Sequence, residues 1–298
     1  MQRRQFLFST AAAGALAILG KKSFAFTFPD PNYQFKLLRN NVGMFAEQGG
    51  TIAWLINKEG IVVVDAEFPD PAKHLIAELQ KQSDKPFEWL INTHHHGDHT
   101  SGNISFKGLV KNVAAHTNSL KNQQRVAIAQ KKEDQQLYPD TTFTETWKIK
   151  VGDEKIKAYY YGAGHTDGDA IIHFEHANIV HMGDLVFNRR YPFIDKTAGA
   201  SVTNWAIALE QAQKKFDNDA IFVFGHAFDP QKVTGTMDDV KAMQNYMERL
   251  AEFVQGSIKA GKSKEEILKA TSIPGVTDWQ GDGINRSLEA AYQEFSAG

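Results

Sequence analysis

Short apolar runs rich in β-branched residues dominate the first half of the chain: "TIAWLI" (51–56), "GIVVVDA" (60–66) and "FEWLINT" (87–93). The intervening "NKEG" (57–60) reads as a hairpin turn. In "PAKHLIAELQKQ" (71–82) the apolar positions fall at helical spacing, so a helix is predicted between the second and third runs. The alternation returns in "KIKAYYYGAGH" (155–165), "DAIIHFEH" (169–176), "NIVHMGD" (178–184) and "AIFVFGH" (220–226), with a helical "NWAIALEQAQKKF" (204–216) before the last. Two sets of strands, each mixed with helices, make an α/β protein. From about residue 236 the pattern turns helical and polar, with "MERLAEFVQG" and "INRSLEAAYQEF" as amphipathic segments.

The first 25 residues follow a different logic. Arg3 and Arg4 precede an apolar Ala/Gly-rich stretch, then Lys21, Lys22 and the small residues Ser23 and Ala25. This is the order of a signal peptide cleaved near Ala25, with a basic tail or an uncleaved anchor as the other reading, and "QRRQFLF" resembles the twin-arginine signal of export to the bacterial periplasm. The apolar stretch is too short to span a bilayer comfortably, so no stable membrane insertion is expected once the signal is removed. The predicted organisation is a signal at 1–25, a catalytic domain at 26–235 and a helical extension at 236–298 packed on the same domain.

The formal net charge is -2, and loss of four signal-peptide cations makes the remainder more acidic, so nothing electrostatic points to nucleic acid. The chain has no cysteine, which excludes disulfides, thiolate ligands and a cysteine nucleophile. Any bound metal must then be held by His, Asp or Glu.

Four of the eleven histidines crowd into "INTHHHGDHTSGN" (91–103) around Asp98. Several later runs end in a residue able to bind metal: His165, Asp184 and His226, each preceded by glycine (Gly164, Gly183, Gly225). Glycine permits a sharp turn or a close approach, so these side chains can be aimed into one cleft. His95 is expected beside the site rather than in it, and His74, His116, His173, His176 and His181 read as surface or core histidines. Asp65 is read either as a residue orienting the site from behind or as a strand-end cap.

"THHHGDHTSGN" resembles the H-x-H-x-D-H signature of the metallo-β-lactamase superfamily, and "GAGHTDGD", "HMGDLVF" and "VFGHA" resemble its later motifs in order. The resemblance covers roughly residues 35–230. It implies a four-layer αββα sandwich with a dinuclear site on its edge. His94, His96 and His165 would hold one ion; Asp98, His99 and His226 the other; Asp184 would bridge them. The implied ions are divalent, zinc first, with iron or manganese as alternatives.

The implied reaction is attack by a metal-bridging hydroxide on the carbonyl of a small ester, thioester, lactone or amide, with Asp98 and Asp184 as the catalytic carboxylates. The superfamily hosts many chemistries, so the fold does not choose among them. An exported β-lactamase and a non-catalytic metal-binding or interaction module stay open as alternatives. Arg189, Arg190 and Tyr191, in "VFNRRYPFID" (186–195), are candidate substrate residues, since paired arginines can grip a carboxylate. A solvated basic turn is the other reading of the same stretch.

Overall fold

The computed structural model describes residues 32–296; the signal segment expected at 1–25 lies outside them. The first-half runs form one sheet of seven strands in chain order: β1 (Gln34–Arg39), β2 (Val42–Ala46), β3 (Ile52–Ile56), β4 (Ile61–Val64), β5 (Phe87–Asn92), β6 (Val110–His116) and β7 (Thr141–Phe143). The strands from β1 to β4 form an antiparallel meander, whereas β4 to β7 run parallel. Parallel neighbours need crossovers. The helix α1 (Pro69–Gln82) makes the first of these. The second runs through the one-turn helix α2 (Gly97–Thr100), and the third through α3 (Thr117–Gln130).

The helix α1 forms where the spacing predicts it. Pro69 fits its first turn, Asp70 complements the helix dipole there, and Ala72, Leu75, Ile76 and Leu79 make one buried stripe. The uninterrupted "IVVV" of β4 is apolar on both faces because both are covered. Val62 and Val64 face the second sheet, and Ile61 and Val63 face α1.

The second sheet contains β8 (Thr146–Val151), β9 (Glu154–Tyr159), β10 (Ile171–Phe174) and β11 (Ile179–His181). A two-residue pair, β12 (Phe187–Asn188) with β14 (His226–Ala227), stands apart from it, and β13 (Ile221–Val223) and β15 (Thr234–Gly235) complete the larger sheet. Its order is β15-β13-β11-β10-β9-β8. Its outer face packs against α4 (Val202–Lys215), α5 (Met237–Lys259) and α7 (Ile284–Ser296), with the short α6 (Lys264–Leu268) joining them. Val42, Leu55 and Ile91 of the first sheet meet Ile156, Ile172 and Phe174 of the second. The layers are therefore helix, sheet, sheet, helix, as the αββα expectation holds.

One expectation is corrected in detail, and one helix is new. The run at 155–165 is a strand only to Tyr159, and the following residues form the loop that carries His165. Nothing in the apolar pattern announces α3, because that helix buries Ser119, Asn122 and Gln123 rather than a hydrophobic stripe.

Candidate metal centre

The parallel strand β5 ends at Asn92, and its C-terminal end delivers the histidine segment to the edge of the sandwich. Two backbone bonds to the His96 carbonyl, from His99 and Thr100 at 3.0 Å each, close the turn that places His96, Asp98 and His99 on one side. From the second sheet, the turn Gly183–Leu185 after β11 presents Asp184, and β14 presents His226. Gly183 adopts a left-handed backbone (φ 51°) against Thr93, and a Cβ at Gly225 would overlap the Asp184 carboxylate. Both glycines are needed for the two sheets to meet at this point.

All seven residues of the expected set converge. His96 Nδ1 lies 3.1 Å from His94 Nε2 and 2.8 Å from His165 Nε2. On the other side, His226 Nε2 lies 3.0 Å from Asp98 Oδ2, and His99 Nε2 lies 3.8 Å from it. Asp184 stands between the groups: its Oδ2 is 3.4 Å from both His165 Nε2 and His226 Nε2, and its Oδ1 is 3.0 Å from His99 Nε2.

The outer hydrogen bonds of the rings decide what those nitrogens offer. The His165 Nδ1–H donates to the Phe193 carbonyl at 2.7 Å, the His96 Nε2–H to Asp195 at 2.9 Å, and the His99 Nδ1–H to Asp65 at 2.8 Å. The Thr93 hydroxyl gives its proton to Asp65 (2.7 Å) and so accepts from His94 Nδ1 at 3.0 Å. A neutral imidazole has one donor and one acceptor nitrogen, so the inward nitrogens of His94, His96 and His165 carry lone pairs. Three lone pairs at about hydrogen-bond distance, with no proton to share, repel unless a cation lies among them. His99 Nε2 and Asp184 Oδ1 are likewise buried without a hydrogen-bond partner. The donor set, imidazole nitrogen and carboxylate oxygen, suits zinc and related divalent ions.

The electrostatics divide the rings: at His99 burial favours the neutral form, yet the Asp184, Asp98 and Asp65 carboxylates outweigh it and hold the ring well above the ordinary histidine range. Burial pushes His165 down to about 3, keeping it a neutral donor of electron pairs. Burial opposes ionisation of Asp184, but the imidazoles of His226, His99 and His94 outweigh it and hold the carboxyl well below the usual range. At His226 burial favours the neutral ring, yet the Asp184 and Asp98 carboxylates win and raise it to about 9. The pocket attracts positive charge between these carboxylates.

His95 stands to one side of the seven, grouped with His96 and Asp195; its Nε2 lies 3.8 Å from Asp195 Oδ2, and burial pushes it down to about 3. Of the three substrate candidates, only Arg190 lines the cleft of about 310 Å³ over the site, together with Phe187 and Phe193. Arg189 is engaged elsewhere: its Nε is 2.7 Å from Asp278, which ties it to the C-terminal segment. Tyr191 turns its ring towards Tyr246, a core residue. Sequence reasoning passes over Asp195, Thr93 and the Phe193 carbonyl, which orient the rings. No local pattern marks them, since each acts across the fold.

A family model described as "Metallo-beta-lactamase superfamily" matches residues 47–226. The chain belongs to the metallo-beta-lactamase superfamily. It is accordingly a metal-dependent hydrolase. Among similar proteins, a type 2 metallo-beta-lactamase from Elizabethkingia meningoseptica is 25% identical over 250 residues, covering 81% of this chain and 93% of that one. The type 2 enzyme of Bacillus cereus is 27% identical over 173 residues, 58% of this chain and 64% of that one. A metallo-beta-lactamase from Pontibacter korlensis superposes with a TM-score of 0.60 at 18% identity, over 72% of this chain and 99% of that one. A double mutant of the sec-alkyl sulfatase PisA1 superposes with a TM-score of 0.71 at 13% identity. It covers 88% of this chain and 50% of that chain, and the likeness is one of fold.

Proposed function

We propose that the centre is dinuclear and hydrolyses a small ester, thioester, lactone or amide. His94, His96 and His165 would hold one divalent ion, Asp98, His99 and His226 a second, with Asp184 shared between them. The observation that carries this reading is Asp184 Oδ2, equidistant at 3.4 Å from His165 Nε2 and His226 Nε2. When bound, zinc ions at such a site supply Lewis-acid polarisation of a carbonyl and a coordinated water with a pKa of about 7.

The chain's own groups do the rest. Asp65, Asp195 and the Phe193 carbonyl hold the rings in the tautomers that direct lone pairs inward. The Asp98 side chain is 31% exposed, and its carboxylate would orient the attacking water and take up its proton. Phe187 and Phe193 give the cleft an apolar wall, and the exposed Arg190 guanidinium at its rim suits a substrate carrying an anionic group. The catalytic unit proposed is 26–235, with 236–298 as its extension.

A β-lactam substrate is the second reading, favoured by the type 2 metallo-beta-lactamase relatives. We also infer export by the twin-arginine machinery to the periplasm, on the strength of Arg3, Arg4 and the apolar run after them. Among the described residues, no helix is long and apolar enough to cross a membrane. Turnover of β-lactam, lactone, thioester and ester panels by the zinc-loaded protein tests the reaction class. Hydrolysis in one panel, lost on chelation and restored by zinc, supports it; no turnover in any panel contradicts it.

A further inference from the structure

A second carboxylate lies behind the centre, and the reaction as described does not use it. Glu67 is fully buried, in a left-handed backbone conformation (φ 48°) that a non-glycine residue rarely adopts. Its Oε1 accepts from the Glu47 N–H at 2.9 Å, and its Oε2 accepts from the N–H groups of Gln48 and Gly49 at 2.8 Å each. Three successive backbone donors on one carboxylate fix the course of the loop between β2 and β3. The Gly102 N–H donates to the Glu67 carbonyl at 2.8 Å, which holds the strained residue from its other side.

The loop thus fixed touches the metal centre on one side only. The Gly50 N–H donates to the Asp98 carbonyl at 2.9 Å, and the Thr51 N–H donates to the carbonyl of Gly225, the residue before His226, at 2.9 Å. His181 Nε2 donates to the Thr51 carbonyl at 2.8 Å. Gly50 lies flat on the His99 imidazole, so close that a Cβ there would overlap the ring. Asp98, His99 and His226 are the proposed second-ion set. Among the described residues no hydrogen bond joins residues 47–51 to His94, His96 or His165.

From this asymmetry we infer that Glu67 is a positioning residue for the second ion: it clamps loop 47–51 onto Asp98, His99 and Gly225 and leaves the three-histidine set untouched. The inference rests on the two-ion reading above. A backbone loop pressed against these three positions limits the ways the second set can relax, so affinity for that ion should depend on the loop's anchor. A carboxylate whose role was general stability would affect both ions alike.

Stepwise zinc titration of the full chain by calorimetry, with metal analysis of the product, tests this in two variants. Glu67→Gln keeps the side-chain volume but turns an amide N–H towards a backbone donor. Gly50→Ala leaves the carboxylate in place and lifts the loop from the His99 ring. Wild type should bind two ions. Each variant that remains folded by circular dichroism should keep first-ion affinity and lose about 10- to 100-fold in second-ion affinity, the range for residues that orient ligands. Two ions bound by wild type and by both variants with unchanged affinities would overturn the role of Glu67 alone. Equal weakening of both ions would do the same. A wild type that binds a single ion would overturn the two-ion reading itself and this inference with it.

Discussion

Asp65 Oδ2 accepts the His99 Nδ1–H at 2.8 Å, and the same oxygen takes the Thr93 hydroxyl at 2.7 Å. One fully buried carboxylate thereby orients His99 of one proposed ligand set and, through Thr93, His94 of the other. Its second oxygen accepts the Thr93 backbone N–H at 2.8 Å. The two roles the sequence left open for Asp65, orienting residue and strand-end cap, are filled by the same side chain. Asp65→Asn should therefore weaken both ions, by about 10- to 100-fold, where Glu67→Gln weakens one. Paired zinc titrations of the two variants check the contrast.

Arg189 and Arg190 are neighbours with different surroundings: Arg190 lines the cleft, and Arg189 pairs with Asp278. Arg190→Ala should raise KM for anionic substrates several-fold while leaving kcat and metal content near wild type. Arg189→Ala should leave KM unchanged. It breaks a partly exposed ion pair with Asp278, so it should cost on the order of 1 kcal/mol or less in unfolding free energy. Steady-state kinetics and urea denaturation separate the two outcomes. A raised KM in the Arg189 variant would put that residue back in the cleft.

Trp205 supports the floor of the centre. It is fully buried, its Nε1–H donates to the Leu185 carbonyl at 3.0 Å beside Asp184, and its ring lies 5.7 Å from that of His165. Trp205→Ala removes the ring and leaves a buried carbonyl unpaired, so a loss of about 3–5 kcal/mol is expected. Trp205→Phe keeps most of the volume and should lose clearly less. Equal losses in denaturant titrations would mean that packing contributes little there.

Export is tested apart from chemistry. Replacing Arg3 and Arg4 with lysine should retain the precursor in the cytoplasm without altering zinc content or turnover of the purified protein. Undiminished periplasmic accumulation would point to another route.

The parts of the fold that were legible in the sequence are those where apolar period and burial coincide. The β4 run is buried on both faces, and α1 has one buried stripe. The helix α3 escaped notice because its buried face is polar: Gln123 and Asn103 bond Asn92 in place of apolar packing. The seven converging residues announced themselves through the compact histidine motif and three glycine-flanked strand ends. Asp195 and Glu67 did not, because each acts on backbone or rings distant in the chain. The partner of Arg189 is not legible locally either, because Asp278 lies far along the chain.

The proposed ligand set includes His96 and leaves out His95, its immediate neighbour. Metal analysis of purified wild type, His96→Ala and His95→Ala, each shown folded by circular dichroism, tests it most directly. Two zinc ions per chain are expected in wild type, close to two in His95→Ala, and a loss of at least one in His96→Ala. Equal zinc content in the two variants would contradict it.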